Sequence, residues 1–310
     1  MTLRTLESVL AKMDCSYEII FVNDGSRDQS LAVLELKSAA DPRIKVVSFS
    51  RNFGHQMAVT AGLDFASGDA VVVLDADLQD PPELLPKMVE LYREGYDVVS
   101  PQRISRQGDS WFKRKTATLF YAVMQRLSDV AMPPEVGDFR LFSSGAVQVL
   151  RRFRERHRYM RGLVAWLGLR EAFVAFSRQP RAAGETKYPL LKMLWFSWTA
   201  ITSFSAMPLR LTMGLGMVTV GIAFGYLIYA VFAALVLKHV VWGWTSLVFL
   251  QCFFSGLTLT CIGLIGDYIA RIYEEAKGRP LYVVNRMLNL SSPSDTSAAA
   301  IVEPSAFSTK

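Results

Sequence analysis

The sequence predicts an α/β domain with a mostly parallel sheet, followed by a two-helix transmembrane hairpin. Short apolar runs alternate with helical patterns through about the first two hundred residues, the signature of strands joined by helices. Two long charge-free runs follow, and acidic clusters sit where two of the early apolar runs stop.

The elements follow in order. Strands are predicted at Tyr17–Val22, Ile44–Phe49, Ala70–Leu74 and Asp97–Ser100, the short apolar runs that alternate with the helical patterns. Helices are predicted over about Leu3–Met13, Ser26–Ala39, Gln56–Ala66 and Pro82–Glu94. The stretch Asp80-Pro81-Pro82-Glu83 supplies the last of these with a proline-rich, acidic start.

From Thr212 to Leu237 there are 26 residues without Asp, Glu, Lys or Arg, and from Val240 to Gly266 there are 27. As helices they would reach about 39–40 Å, against a hydrocarbon core of about 30 Å. A buried core helix is the competing reading; it usually runs shorter and carries a polar stripe. Only Lys238 and His239 separate the runs, so the helices form a tight hairpin with both outer ends on one side. Those ends carry Arg210, Arg271, Lys277 and Arg279, which the positive-inside tendency assigns to the cytoplasm, together with the N-terminal domain. Trp242 and Trp244 suit the far interface. The expectation is a multi-pass protein of a bacterial-type inner membrane with its catalytic domain cytoplasmic.

The segment Lys187–Met207 mixes Leu, Trp, Phe and Met with Ser, Thr and Lys; it reads as an interfacial helix or as a buried docking helix. The division expected is therefore 1–186 for the α/β domain, 187–209 for the interfacial segment, 210–270 for the hairpin, 271–290 for a juxtamembrane segment and 291–310 for a disordered, Ser/Ala/Pro-biased tail.

The net charge of +6 and pI near 9.2 suit either nucleic acid or an anionic membrane surface with phosphorylated ligands. No Lys/Arg block with interleaved aromatics matches a nucleic-acid motif, so the second reading is preferred and no nucleic-acid partner is expected. Cys15, Cys252 and Cys261 have no metal or redox spacing, and His55, His157 and His239 have no ligand spacing. No charged-then-apolar signal peptide opens the chain.

Asp75 and Asp77 follow a predicted strand, where ligands of open sheets bind. Two neighbouring carboxylates repel unless something neutralises them, and oxygen ligands of this kind suit Mg²⁺ or Mn²⁺ sharing its shell with substrate phosphates. The pair is a candidate anchor for a metal and a diphosphate, with Gln79 as a further oxygen ligand. A helix cap or a decorated turn is the structural alternative.

The strings Val22-Asn23-Asp24-Gly25-Ser26, Arg51-Asn52-Phe53-Gly54, Asp75-Ala76-Asp77-Leu78-Gln79-Asp80-Pro81-Pro82-Glu83, Gly137-Asp138-Phe139-Arg140-Leu141 and Arg181-Ala182-Ala183-Gly184-Glu185-Thr186-Lys187-Tyr188 occur in that order. In this combination the chain resembles family 2 glycosyltransferases, in particular the polyprenyl-phosphate hexosyltransferase group that includes dolichyl-phosphate mannose synthase. The resemblance implies a GT-A fold and an inverting transfer of a hexose from a UDP- or GDP-sugar to a polyprenyl phosphate. It implies that Asp24 contacts the donor nucleotide, that Asp75 and Asp77 bind Mg²⁺ or Mn²⁺ with Gln79 beside them, and that Asp138 is the catalytic base. It further implies that Arg103, Arg114 and Thr118 hold the lipid phosphate, and that Arg181 and Lys187 belong to a loop closing over the phosphates.

A phosphate monoester is already largely a dianion at neutral pH, so Asp138 has little deprotonation to perform; positioning, or pairing with Arg140, is its alternative. At His55 the family often carries Lys. Nothing before Tyr17 matches the family's opening strand, which is therefore expected to be missing. Rival readings are a polysaccharide-building transferase of the same superfamily, which usually has more spans, and a catalytically silent membrane scaffold. A homo-oligomer is compatible with the chain but has no sequence signature.

Overall fold

A computed structural model describes residues 2–77, 79–103, 133, 136–176, 207–236, 243–290 and 299–301. The chain divides into two compact units. The first comprises residues 1–125, 130–190 and 279–310, and the second residues 126–129 and 191–278.

In the first unit the expected alternation appears, with element ends shifted by a few residues. Helix α1 is Thr2–Leu10, β1 Ile19–Asn23, α2 Ser30–Ala40, β2 Ile44–Phe49, α3 His55–Phe65 and β3 Ala70–Val73. A 3₁₀ turn at Pro82–Leu84 leads into α4, Leu85–Arg93, and then β4, Val98–Arg103. Beyond the predicted elements come β5 (Arg140–Ser143), α5 (Ser144–Leu150), α6 (Met160–Leu167) and β6 (Glu171–Phe176).

The strands form two four-stranded sheets, one in the order β1-β2-β7-β8 and one in the order β3-β5-β4-β6, where β7 is Tyr282–Leu288 and β8 is Ala299–Ile301. Pairing is mixed. β1–β2, β4–β6 and β7–β8 are parallel, whereas β2–β7, β3–β5 and β4–β5 are antiparallel. The antiparallel partners are β5 and β7, the two strands that stand outside the regular strand–helix alternation. Each sheet has its own core: Val47, Phe49, Ala61, Phe65, Tyr282 and Val284 around the first, and Val9, Leu85, Met88, Val99, Leu141 and Val174 around the second. Central strand β2 is buried at five of six positions. β1 and β3 are mostly half-buried, and neither has a second strand partner among the described residues.

The segment expected as a juxtamembrane piece thus contributes β7 to a sheet of the first unit, and part of the expected tail forms β8. Tyr282 explains why this distant strand docks. Its ring stacks on Phe49 at 4.9 Å and its hydroxyl donates to Asp64 Oδ2 at 2.8 Å. Asn289, at φ 55°, closes the segment by donating from Nδ2 to the carbonyls of Ser38 and Ile44.

The second unit contains α7, Met207–Leu235, and α8, Trp244–Ala276, of 29 and 33 residues. At 1.5 Å per residue these reach about 43 and 50 Å, enough to cross a bilayer with length to spare. Their apolar stretches, Leu211–Tyr229 and Phe249–Ala276, have mean hydropathies of 1.8 and 1.7. Side chains such as Met217, Phe224, Ile228, Phe253 and Leu259 are exposed along both helices, an apolar surface that water would not tolerate on this scale. The last turns of α8 turn polar, with Arg271 donating to Asp267 one turn earlier at 3.2 Å. Residues 187–206 of the expected interfacial segment and Lys238, His239 and Trp242 lie outside the described residues.

Candidate active site

Strand direction gathers the motifs at one edge. β1 and β2 run parallel and deliver Asp24 and the Arg51–Gly54 loop at their carboxyl ends. β5 runs antiparallel to β3 with Val73 opposite Arg140, so residues just before β5 meet those just after β3. This pairing, not sequence proximity, brings Asp138 beside Asp75. β4 runs antiparallel to β5 and extends past it to Arg103, where Gln102 bridges to Val136. Asp24, His55, Asp75, Asp77, Asp80, Arg103 and Asp138 therefore lie at the same end of their strands.

The loops at this edge are cross-braced. Asp24 Oδ1 accepts the backbone N–H of Phe53 at 2.6 Å and Oδ2 accepts that of Gly54 at 2.9 Å. Gly25, at φ +65°, lies so close beneath that a Cβ there would stand 2.5 Å from Arg51 C and Asn52 N. Asn23 donates to Ser48 Oγ at 3.0 Å and accepts from the Ser26 N–H at 3.2 Å. The Asn-Asp-Gly-Ser string thus acts as a clip on the Arg-Asn-Phe-Gly loop. On the other side of the site, Thr2 Oγ1 donates to the Ala76 carbonyl at 2.8 Å, tying α1 to the acidic loop.

Besides Asp24, whose oxygens brace the loop, four carboxylates crowd the edge, and their partners differ. Asp138 is held on both oxygens: Arg161 Nε donates to Oδ1 at 2.9 Å and Nη2 reaches Oδ2 at 3.4 Å, while His55 Nε2 lies 3.2 Å from Oδ2. Asp80, buried, has Arg103 Nη2 at 3.6 Å. Asp75 faces His55 Nδ1 at 3.8 Å, and Asp77 Oδ1 accepts the Gln79 backbone N–H at 3.0 Å. Arginine therefore neutralises two of the four, and the two without an arginine partner among the described residues are the half-exposed Asp75 and the exposed Asp77. Among the described residues no group of three or more His, Cys, Asp and Glu is assembled to hold a metal. Two neighbouring carboxylates of this kind have the oxygen chemistry that a divalent ion takes as part of its shell.

Electrostatics follow this division. Partial burial pushes the Asp75 carboxyl up, the neighbouring Asp138, Asp77 and Asp80 adding to it and His55 opposing. Burial would also raise Asp138, but the His55 hydrogen bond and the Arg161 charge outweigh it and hold Asp138 well below the usual carboxylate range. His55 is raised, first by its hydrogen bond to Asp138, against partial burial. A carboxylate so held is a weak proton acceptor.

Asp138 pairs with Arg161, not with Arg140. The latter is buried beneath the loop and donates from Nε to the Gly137 carbonyl at 3.2 Å, supporting the turn that carries Asp138. His55 and Arg161 are the site residues that motif reading missed. His55 directly follows the Arg-Asn-Phe-Gly string, which was a usable signal; Arg161 lies 23 positions after Asp138 and had none. Arg114, Thr118, Arg181 and Lys187 lie outside the described residues.

The family model for glycosyl transferase family 2 matches residues 1–151. The chain is 45% identical over 291 residues to YkcC of Bacillus subtilis, an uncharacterized glycosyltransferase, covering 94% of this chain and 90% of that one. It is 38% identical over 270 residues to a prophage bactoprenol glucosyl transferase homolog of Escherichia coli, covering 87% and 88%. It is 39% identical over 269 residues to the bactoprenol glucosyl transferase of Shigella phage SfII, covering 87% of each. With the strand-end acidic loop, the clipped Arg-Asn-Phe-Gly turn and these relatives along most of its length, the chain belongs to glycosyltransferase family 2.

Proposed function

We propose that this protein transfers a hexose, glucose on the names of its relatives, from a nucleotide-diphosphate sugar to a polyprenyl phosphate at the membrane surface. The observation that carries this reading is the unequal pairing of the four carboxylates. Asp80 and Asp138 have arginine partners, which leaves Asp75 and Asp77 as a dianionic corner suited to a divalent ion and the donor diphosphate.

In the proposed reaction an oxygen of the lipid phosphate attacks the anomeric carbon, the bond to the nucleoside diphosphate breaks, and the configuration inverts. A Mg²⁺ or Mn²⁺ bound by Asp75 and Asp77, with Gln79 nearby, would supply positive charge against the departing diphosphate. Asp24 braces the loop beside the donor. Asp138, held ionised by Arg161 and His55, orients those two side chains instead of removing a proton, which a phosphate dianion does not require. Arg103, Arg114, Thr118, Arg181 and Lys187 remain the proposed phosphate contacts, by family resemblance; planar guanidinium groups grip phosphate oxygens in pairs.

The helices α7 and α8 would tether the domain where the lipid acceptor resides. β7, which follows α8, pairs with β2, which precedes α7, so both outer ends belong to one folded unit. That connectivity supports an even number of crossings, and the positively charged flanks favour the cytoplasmic face.

The test is to offer the purified protein a panel of UDP- and GDP-sugars with undecaprenyl phosphate and Mg²⁺ or Mn²⁺, and to identify the lipid product by mass spectrometry. A polyprenyl-phosphate hexose is expected. Transfer to a free saccharide hydroxyl with none to the lipid phosphate would overturn the acceptor assignment.

A further inference from the structure

His55 opens α3 immediately after the braced Arg51–Gly54 loop, and its two ring nitrogens face different carboxylates. Nε2 is at hydrogen-bond distance from Asp138, 3.2 Å, and Nδ1 is within ion-pair reach of Asp75, 3.8 Å. We infer that His55 is a positioning residue for the transfer reaction, a spacer that fixes the Asp138 carboxylate relative to the Asp75 end of the acidic loop. The inference rests on the proposed reading of Asp75 as a carboxylate on the donor-diphosphate side.

Three features aim the imidazole. Gly54 takes φ 100°, a conformation costly for any residue with a Cβ, and so turns the chain sharply into α3. Asp24 pins the Phe53 and Gly54 amides, so the turn cannot drift. The neighbouring Gln56 accepts the Met160 backbone N–H through Oε1 at 3.0 Å, satisfying a first-turn amide of α6 and tying the start of that helix to the start of α3. Arg161 is the next residue of α6. The same brace thus sets His55 on one side of Asp138 and Arg161 on the other.

The imidazole has a physical task there. Asp75 and Asp138 come from different strands and carry like charge, so with nothing between them they would move apart. A ring at hydrogen-bond distance from Asp138 and 3.8 Å from Asp75 stands between the two, at nearly half exposure, and so sets their spacing. A misplacement of about 1 Å in such a constellation is enough to lower turnover on the order of 100-fold.

The experiment compares His55→Ala and His55→Gln in the full-length protein in detergent. For His55→Ala, kcat for lipid transfer is expected to fall on the order of 10- to 100-fold, with KM for the donor held within about twofold, since ground-state binding is not what is lost. His55→Gln, whose amide can still donate to Asp138, should recover part of kcat. As a readout independent of turnover, ¹⁵N-histidine spectra should show the His55 ring signals displaced by Asp138→Asn and by Asp75→Asn. Turnover of His55→Ala within about twofold of wild type would overturn the inference. So would ring signals indifferent to both carboxylate variants, or equal failure of Ala and Gln accompanied by lost thermal stability. If wild-type protein transfers nothing to polyprenyl phosphate, the proposed function fails, while the ring-nitrogen shifts still decide whether His55 bridges the two carboxylates.

Discussion

Asp24 holds Gly54 by its backbone: Oδ2 accepts the Gly54 N–H at 2.9 Å while Oδ1 takes that of Phe53 at 2.6 Å. Family resemblance assigns Asp24 to the donor nucleotide, but both oxygens also serve the loop that leads into His55. Asp24→Ala should therefore lower stability by about 1–3 kcal/mol, the cost of leaving part-buried amide donors unsatisfied. It should also weaken nucleotide binding. Urea unfolding beside calorimetric titration with nucleoside diphosphates separates the two effects; unchanged stability would confine Asp24 to ligand contact.

Gly25 makes the same clip possible from below. At φ +65° any L-residue pays about 1–2 kcal/mol, and the added methyl would meet backbone atoms of Arg51 and Asn52 at 2.5 Å, which have no side-chain freedom to yield. Gly25→Ala should displace the Arg51–Gly54 loop, lowering thermal stability and transfer together. Wild-type melting and wild-type turnover in this variant would count against the clip.

Legibility in the sequence followed the range of the interactions. Strands β1 to β4 and their helices were readable because short apolar runs alternate with helical patterns there, a local signal. β5 was not: Arg-Leu-Phe-Ser is four residues long, begins with a buried arginine and runs straight into a helix. β7 was missed because its partner β2 is more than two hundred residues away and the two long apolar helices between them draw attention to themselves. The basic run from Arg151 to Arg158 invites a surface reading, yet Arg151 donates to the Leu63 carbonyl, Arg154 to Asp64 and Arg158 to the Phe153 carbonyl. At the site, carboxylates announced themselves by motif. Their partners His55 and Arg161 depended on antiparallel register and on a helix start, which no short motif encodes.

Glu18 gives the domain a pH dependence away from the site. Partial burial would raise its carboxyl, but hydrogen bonds from Lys45 and Ser67 outweigh that and hold it below the ordinary value of 4.5. Because the folded value is depressed, its stabilisation is present above about 4.5 and is lost as pH falls through the folded value. Wild type and Glu18→Gln should therefore differ in melting temperature at pH 7 and converge in acid. A constant difference from pH 7 to pH 3 would assign the effect to packing.

Asp77 is exposed and has no arginine partner among the described residues, so its loss should spare the fold and strike the chemistry. Asp77→Asn is expected to reduce lipid transfer by about 10²–10³-fold, the scale of removing one charge-stabilising element, with melting within about 0.5 kcal/mol of wild type. Normal turnover in that variant would refute metal-assisted departure of the nucleoside diphosphate.

The strand that returns after α8 carries a buried polar knot whose contribution can be measured apart from its backbone ladder. Tyr282 is fully buried and donates to Asp64 Oδ2 at 2.8 Å; Arg154 Nη1 reaches the same oxygen at 2.9 Å, and among the described residues Asp64 Oδ1 has no hydrogen-bond partner. Burial, reinforced by the Asp64 charge, pushes the phenol far up, so it remains a donor across the working pH range. Tyr282→Phe keeps the stack on Phe49 and removes one of two donors from a buried carboxylate, which should cost about 1–3 kcal/mol. Tyr282→Ala removes the ring as well and should cost about 3–5 kcal/mol, enough to release β7 from β2. Hydrogen exchange on Val46–Phe49 amides distinguishes the two: protection should persist in Phe and collapse in Ala. Equal protection in both would mean that β7 is carried by its backbone ladder and the Asn289 closure alone.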